Sequence, residues 1–361
     1  MTDSSFLEDV GYSARWRALF APYAAQGLAP ARVVRTARGS AIVATTDGVL
    51  RAKPSAALMK SPGGPTRLPA VGDWVAITAA DDLDVPLVIA VLERSSAIAR
   101  GDPGDTSSSQ VLAANIDTVF VVHPIDAEPN LRRLERELSL AWDSGAVPVV
   151  VLTKADLSSA PEASRAAVET VALGADVHVT SALTGAGMDP LLGYIAERRT
   201  AVLIGPSGAG KSTLVNALLG EERQATREVR VSDGRGRHTT IARELIQMAN
   251  GGLLVDTPGL RALALTGSEE GIAAAFPEIE EIAERCRFRD CAHDGEPGCA
   301  VAAAVEAGVL PAERLQSYQK LVREARLAAA KTVPRLRAEE RRRGKAFARM
   351  VKEHQKRTGR N

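Results

Sequence analysis

Eight consecutive residues, Gly205-Pro206-Ser207-Gly208-Ala209-Gly210-Lys211-Ser212, set three glycines, an ammonium and a hydroxyl at the spacing G-x-x-x-x-G-K-[ST]. They follow an apolar run at 201–204 and open a helical pattern at 212–219, the context in which this spacing cradles phosphate. Glycines let the backbone curl until successive N–H groups face one point, and the helix N-terminus adds its positive end. Lys211 would reach the β- and γ-phosphates and act in catalysis, while the Ser212 hydroxyl would ligate Mg²⁺. Thr213, the next residue, belongs to the same nucleotide-binding set.

Downstream, Asp256-Thr257-Pro258-Gly259 ends an apolar run at 252–255. An acid there can hold Mg²⁺ through water, and the Gly259 N–H can sense a γ-phosphate. Between the two motifs, Ser232-Asp233-Gly234-Arg235-Gly236-Arg237-His238-Thr239-Thr240 joins glycines and basic side chains. It reads as a first switch loop, in which Thr239 and Thr240 compete for the magnesium and Thr240 is preferred. Leu260 stands where many GTPases place a water-orienting glutamine. His238 is then the nearest candidate in sequence to position the attacking water. Its other reading is a contact to RNA or solvent.

The base reader lies upstream. Thr153-Lys154-Ala155-Asp156 follows the apolar run 147–152, and Ser181-Ala182-Leu183 follows 177–179. Asp156 is placed to accept from guanine N1–H and the N2 amino group, a donor pair that adenine lacks. The Lys154 stem would cover the base, and a backbone N–H in Ser181-Ala182-Leu183 would meet guanine O6. Base loop before phosphate loop reverses the usual order, as in a circularly permuted GTPase. That permutation leads the second switch directly into the C-terminal region.

Cys286, Cys291, His293 and Cys299 supply three thiols and one imidazole in one short window, and the chain has no other cysteine. Four such ligands suit one tetrahedral Zn²⁺ with no open position, hence a structural site. Their spacing is not that of a standard zinc finger, so DNA reading does not follow.

These motifs need elements to hold them. A length of 361 residues exceeds one hydrophobic core, and 45% hydrophobic with 25% charged residues is ordinary for a soluble protein. No apolar run approaches a membrane span, and the N-terminus carries no basic leader before an apolar stretch, so a cytoplasmic location is the expectation. Short β-rich runs at 32–35, 40–44, 48–52, 73–77 and 87–92 predict a small barrel or sandwich, with Lys53, Lys60 and Arg67 between strands. Residues 100–110 read as a linker or flexible loop. Strand patterns at 116–122, 147–152, 177–179, 201–204 and 252–255 alternate with helical ones at 130–143, 161–173, 189–198 and 212–219. That alternation predicts a parallel sheet covered on both faces. Residues 320–361 carry fifteen Lys or Arg against four Asp or Glu, which suits a polyanionic partner.

The whole set resembles the ribosome small-subunit-dependent GTPase A family (RsgA, also called YjeQ or EngC), which are circularly permuted GTPases. The resemblance takes in Gly72-Asp73-Trp74-Val75, Ala113-Ala114-Asn115-Ile116-Asp117, Gly234-Arg235-Gly236-Arg237-His238-Thr239-Thr240 and the Cys/His cluster. It departs at Thr153, where asparagine is commonest. The resemblance implies a multidomain α/β chain: an N-terminal extension (1–30), an OB-like barrel (31–98), a permuted P-loop GTPase domain (99–269) and a zinc-binding helical domain with a basic tail (270–361). It also implies GTP and GDP, Mg²⁺ and one structural Zn²⁺ as ligands. The implied function is late assembly of the small (30S) ribosomal subunit, whose rRNA would be the partner and whose presence would stimulate hydrolysis. A monomer is expected, with neither DNA nor membrane as partner. The rival readings are a P-loop kinase or ATPase, against which Asp156 and Ser181-Ala182-Leu183 argue, and a non-hydrolysing GTP-regulated RNA-binding module, which Leu260 keeps open.

Overall fold

The structure is a computed structural model, and it describes residues 5–37, 39–60, 68–79, 85–101, 109–220, 243–256 and 268–332. Two short helices, α1 (Ser5–Asp9) and α2 (Ala14–Ala24), precede five strands: β1 (Ala29–Ala37), β2 (Ser40–Thr45), β3 (Gly48–Pro54), β4 (Trp74–Ile77) and β5 (Leu87–Val91). A short helix, α3 (Ala56–Lys60), follows β3. The strands pair in the order β1-β2-β3-β5-β4, and β4 returns to β1, which closes the barrel. Val33, Val43, Val75 and Val88 fill its interior. Trp16 and Phe20 of α2 pack with Leu7 and Trp74 on its outside. Lys53 and Lys60 are not in an open loop as expected: Lys53 lies in β3 and Lys60 ends α3. Arg67 lies outside the described residues.

Residues read as a linker are partly paired. β6 (Ala97–Gly101) and β7 (Ser109–Ala114) form an antiparallel ribbon, with Arg100 opposite Gln110. The remaining strands are β8 (Thr118–Pro124), β9 (Val147–Thr153), β10 (Asp176–Val179), β11 (Thr200–Ile204), β12 (Glu244–Gln247) and β13 (Leu253–Asp256). They order as β10-β9-β8-β11-β13-β12, all parallel except β12, which runs against β13. The apolar runs of β8, β9 and β11 are buried because helices cover both faces. On one face α4 (Leu131–Asp143) inserts Leu134 and Leu138. Its start is capped by Asn130, whose side chain accepts from the Arg133 N–H at 3.0 Å. α5 (Pro161–Glu169) follows β9. On the other face α6 (Asp189–Tyr194) and α7 (Lys211–Leu219) pack Leu191 and Leu214 against Phe120.

The sheet does not stop at the GTPase-like half. β12 meets β1 of the barrel antiparallel, with Arg35 opposite Glu244, so eleven strands among the described residues make one sheet. Arg32 seals this joint. It is 2% exposed, and its guanidinium donates to Val10 O, to Gly72 O at 3.3 Å and to Thr200 Oγ1 at 2.9 Å. Burial lowers the Arg32 pKa to about 10, while Asp117 and Asp73 oppose that loss and keep the group charged at neutral pH. One side chain thereby ties the N-terminal helices, the barrel and the strand that feeds the phosphate loop.

At the other end come α8 (Glu269–Ala275), α9 (Pro277–Ala283), α10 (Ala300–Glu306) and α11 (Ala312–Thr332); α8 and α11 dock on α4, α9 packs on α8, and α10 packs on α9. Gly271 allows the approach: a Cβ there would sit 2.5 Å from Ser139 O. Arg314 lies over the Phe276 ring at 4.0 Å and bonds Glu135 at 2.8 Å, Glu278 at 2.6 Å and Ala275 O at 2.8 Å. No described helix is long and apolar enough to cross a membrane.

Replacing Arg32 with Met should destabilise the chain by about 3–5 kcal/mol, because Val10 O and Gly72 O lose a charged donor and Asp117 a buried partner. Urea unfolding followed by tryptophan fluorescence should show a lower midpoint, partly recovered in Arg32→Lys. An unchanged midpoint would show that the joint does not depend on this guanidinium.

Candidate nucleotide site and metal centre

The phosphate loop runs from β11 into α7. Gly205 has φ +140°, and a Cβ on it would lie 2.2 Å from Val122 O, so the loop can leave β11 only with glycine at this position. The Lys211 ammonium folds back to donate to Gly205 O at 2.8 Å and Pro206 O at 2.6 Å. Those carbonyls hold the cation over the loop that the sequence assigns to phosphate. Ser212 and Thr213, half-buried, occupy the first turn of α7 with Lys211. Ser207, Gly208 and Gly210 complete the curl, and Ala209 is fully buried beneath it.

The base loop stands on the same edge of the sheet, with β8 between its strand and β11. β9 ends at Thr153, which is 3% exposed. Its hydroxyl donates to Ala209 O at 2.6 Å, with His123 O also in reach at 3.3 Å. This threonine, where the resembled family commonly has asparagine, thus uses its single hydroxyl on the phosphate loop. Lys154 then takes a left-handed conformation, φ +63°, and Ala155 and Asp156 turn outward. Such a conformation is costly for a non-glycine residue and is concentrated at functional sites. The Lys154 ammonium pairs with Asp126 at 2.6 Å, a partner that sequence spacing did not reveal.

Ser181 donates its hydroxyl to Asp156 Oδ1 at 2.6 Å, and Ala155 N–H donates to Thr180 O at 3.1 Å. The Ser181-Ala182-Leu183 segment is therefore fastened to the base loop. Leu183 and Leu157 are 79% and 64% exposed, apolar surface on the two loops that flank Asp156. Because Ser181 uses one lone pair of Oδ1, the carboxylate keeps acceptor capacity facing outward.

Asp256 ends β13, which pairs with β11 so that Val255 lies opposite Val202. Its carboxylate and the Ser212 hydroxyl are hard oxygen donors of the kind that Mg²⁺ takes. His238, Thr239, Thr240, Gly259 and Leu260 lie outside the described residues.

The cysteine–histidine cluster is assembled as its spacing suggested. The ligand atoms of Cys286, Cys291, His293 and Cys299 lie within 4.8 Å of one another. His293 Nδ1 is 3.5 Å from Cys299 Sγ and 3.7 Å from Cys286 Sγ, and the two sulfurs are 4.0 Å apart. A tetrahedral Zn²⁺ needs about 3.5 Å between N and S and about 3.8 Å between two S, so the set fits. Burial lowers the His293 pKa, which keeps the imidazole neutral as a ligand requires. Burial also raises Cys291 to about 12, and the neighbouring thiols add to it, so a thiolate at Cys291 calls for a cation. Backbone N–H groups of Ala300 and Ala302 point at Cys286 Sγ and Cys299 Sγ, each at 3.3 Å. Glu296 accepts from Ala292 and Asp294 N–H at 2.8 Å and braces the turn, in which His293 is held at φ +58°. Sequence reading did not single out Glu296; its place between His293 and Cys299 was the available signal.

Known proteins carry the same organisation. A family model described as RsgA GTPase matches residues 91–266. The chain is 47% identical to a Streptomyces coelicolor protein named small ribosomal subunit biogenesis GTPase RsgA, over 94% of this chain and 92% of that protein. It is 42% identical to a protein of the same name from Opitutus terrae, over 94% and 95%. The crystal structure of YjeQ from Thermotoga maritima superposes with a TM-score of 0.62 at 26% identity, covering 82% of this chain and 98% of that one. YloQ, a circularly permuted GTPase, shares the fold with a TM-score of 0.57 at 24% identity, covering 82% of this chain and 95% of that one. With a base loop that precedes its phosphate loop, and relatives this similar along nearly its whole length, the chain belongs to the RsgA GTPase family.

Proposed function

We propose that this chain hydrolyses GTP to GDP and phosphate as an assembly factor of the small ribosomal subunit, and that the subunit stimulates the reaction. The observation that carries the nucleotide part is the bond from Thr153 to Ala209 O, which joins base loop and phosphate loop into one site. Asp156 reads guanine through the acceptor capacity that Ser181 leaves it, and Ala182 and Leu183 offer backbone N–H groups toward O6. Lys211 exchanges its two carbonyl partners for phosphate oxygens and neutralises charge that builds there. Ser212, Thr240 and Asp256 are the residues that would hold Mg²⁺, which supplies charge neutralisation between the phosphates. Hydrolysis with Leu260 in place of glutamine makes slow intrinsic turnover the expectation, with His238 or a group from the partner positioning the water.

The ribosomal part rests on the names that the relatives carry and on the basic 320–361 segment. Phosphate release should rise with added small subunits and not with large subunits. Equal turnover with small subunits, large subunits or neither would reject this role and leave a slow GTPase or a non-hydrolysing RNA-binding module.

Cys286, Cys291, His293 and Cys299 would hold one structural Zn²⁺ per chain. Cys291→Ser or chelation should release it and raise hydrogen exchange after about residue 269, while β8–β11 keep their protection. Elemental analysis that finds no zinc in protein purified without chelator would contradict the assignment.

A further inference from the structure

Between the first two members of the Cys/His cluster lie four residues, Arg287, Phe288, Arg289 and Asp290. All four side chains are exposed. Phe288 is 43% exposed, whereas Phe20, Phe120 and Phe276 are buried. A phenylalanine at a polar loop tip gives up the burial that holds other aromatic side chains inside, and its ring remains open to an incoming apolar face. The guanidinium of Arg287 lies 5.4 Å from the ring centroid, and Arg285 and Arg289 are exposed beside it.

The charge pattern is equally specific. Arg314 and Arg326 in the same region are matched by Glu135, Glu278 and Glu269. Arg285, Arg287 and Arg289 form no ion pair among the described residues. The turn itself is fixed. Arg287 N–H donates to Gly298 O at 3.1 Å and Cys291 N–H to Phe288 O at 3.4 Å, and Cys286 and Cys291 bracket it within the ligand cluster. A rigid turn that displays one open aromatic ring among unmatched guanidinia loses little conformational entropy on binding.

We propose that this turn is an RNA-docking platform: an unpaired base stacks on Phe288, and Arg287 and Arg289 hold the phosphates on either side. Stacking on aromatic rings beside arginine is how unpaired RNA is gripped, since every base offers a π-face. The proposal rests on the small-subunit reading above and names a contact within it.

The test uses the full-length chain with a non-hydrolysable GTP analogue, and measures affinity for intact small subunits and for protein-free small-subunit RNA. Phe288→Ala should weaken both by roughly ten-fold, the scale of one stacked base, without changing the salt dependence. Phe288→Trp should restore affinity. The Arg287→Ala, Arg289→Ala double variant should flatten the slope of log K against log salt by about 1.4, two single-strand phosphate contacts. Metal content, measured in each variant, reports whether the turn is intact. If Phe288→Ala loses its metal, the salt slope of the arginine pair decides. Wild-type affinity in Phe288→Ala with metal retained, or an unchanged slope in the arginine pair, overturns the platform while leaving the assembly role standing. A loss confined to intact subunits would mean that the ring meets a ribosomal protein, and it overturns the RNA assignment. A wild-type chain that binds neither particle nor RNA refutes the assembly reading and the platform together.

Discussion

A single hydroxyl, that of Thr153, joins the two loops of the proposed nucleotide site. β9 and β11 are not neighbours; β8 runs between them, so their loops start about 10 Å apart. The Thr153 hydroxyl crosses the end of β8 to reach Ala209 O at 2.6 Å. Both residues are buried, so the bond is shielded from water, and an unmade one would leave a polar pair without partners. The base loop is fastened in turn by Ala155 to Thr180 O and by Ser181 to Asp156. A guanine nucleotide bound as proposed would meet two loops whose separation is already set, which limits the ordering that binding must impose.

The permutation decides what else is attached to that site. β12 resumes the described chain at its boundary with the first switch segment, and it pairs with β1 of the barrel. β13 ends at Asp256, and the next described element is α8, docked on α4. Each segment assigned to sense the γ-phosphate is thus bounded by a different accessory domain. Arg32 and Arg314 make these attachments firm, since each is a buried cation whose partners come from separate parts of the chain. A displacement at either attachment would have to break several buried hydrogen bonds to a guanidinium at once. That favours discrete postures of the whole molecule over gradual drift.

Much of this was legible in the residues. All five barrel runs, the strand–helix alternation and both nucleotide loops are visible as periodicity and motif, because each depends on local backbone demands or on burial of a continuous apolar run. The N-terminal helices were not legible: α2 contains Pro22 and buries only Trp16 and Phe20. β12 is four residues of mixed character, and the β6–β7 ribbon is partly polar, so its pairing overrides its composition. The long-range charge partners were hidden for a different reason. Arg32, Arg314 and Asp126 look like surface residues until the fold places Thr200, Glu135 and Lys154 against them. Thr153 stood out as a departure from asparagine, but its bond to Ala209 is visible only once the sheet is assembled.

The account stands on one nucleotide spanning both loops, with its base at Asp156 and its phosphates at Lys211. Equilibrium binding of guanine and xanthine diphosphates to Asp156→Asn tests this most directly. Xanthine carries an oxygen where guanine has its amino group, and the asparagine amide donates where the carboxylate accepted. The account predicts that GDP affinity falls by the equivalent of about 1–3 kcal/mol and that the xanthine nucleotide gains. Undiminished GDP binding in that variant would place the base elsewhere and contradict the one-site account.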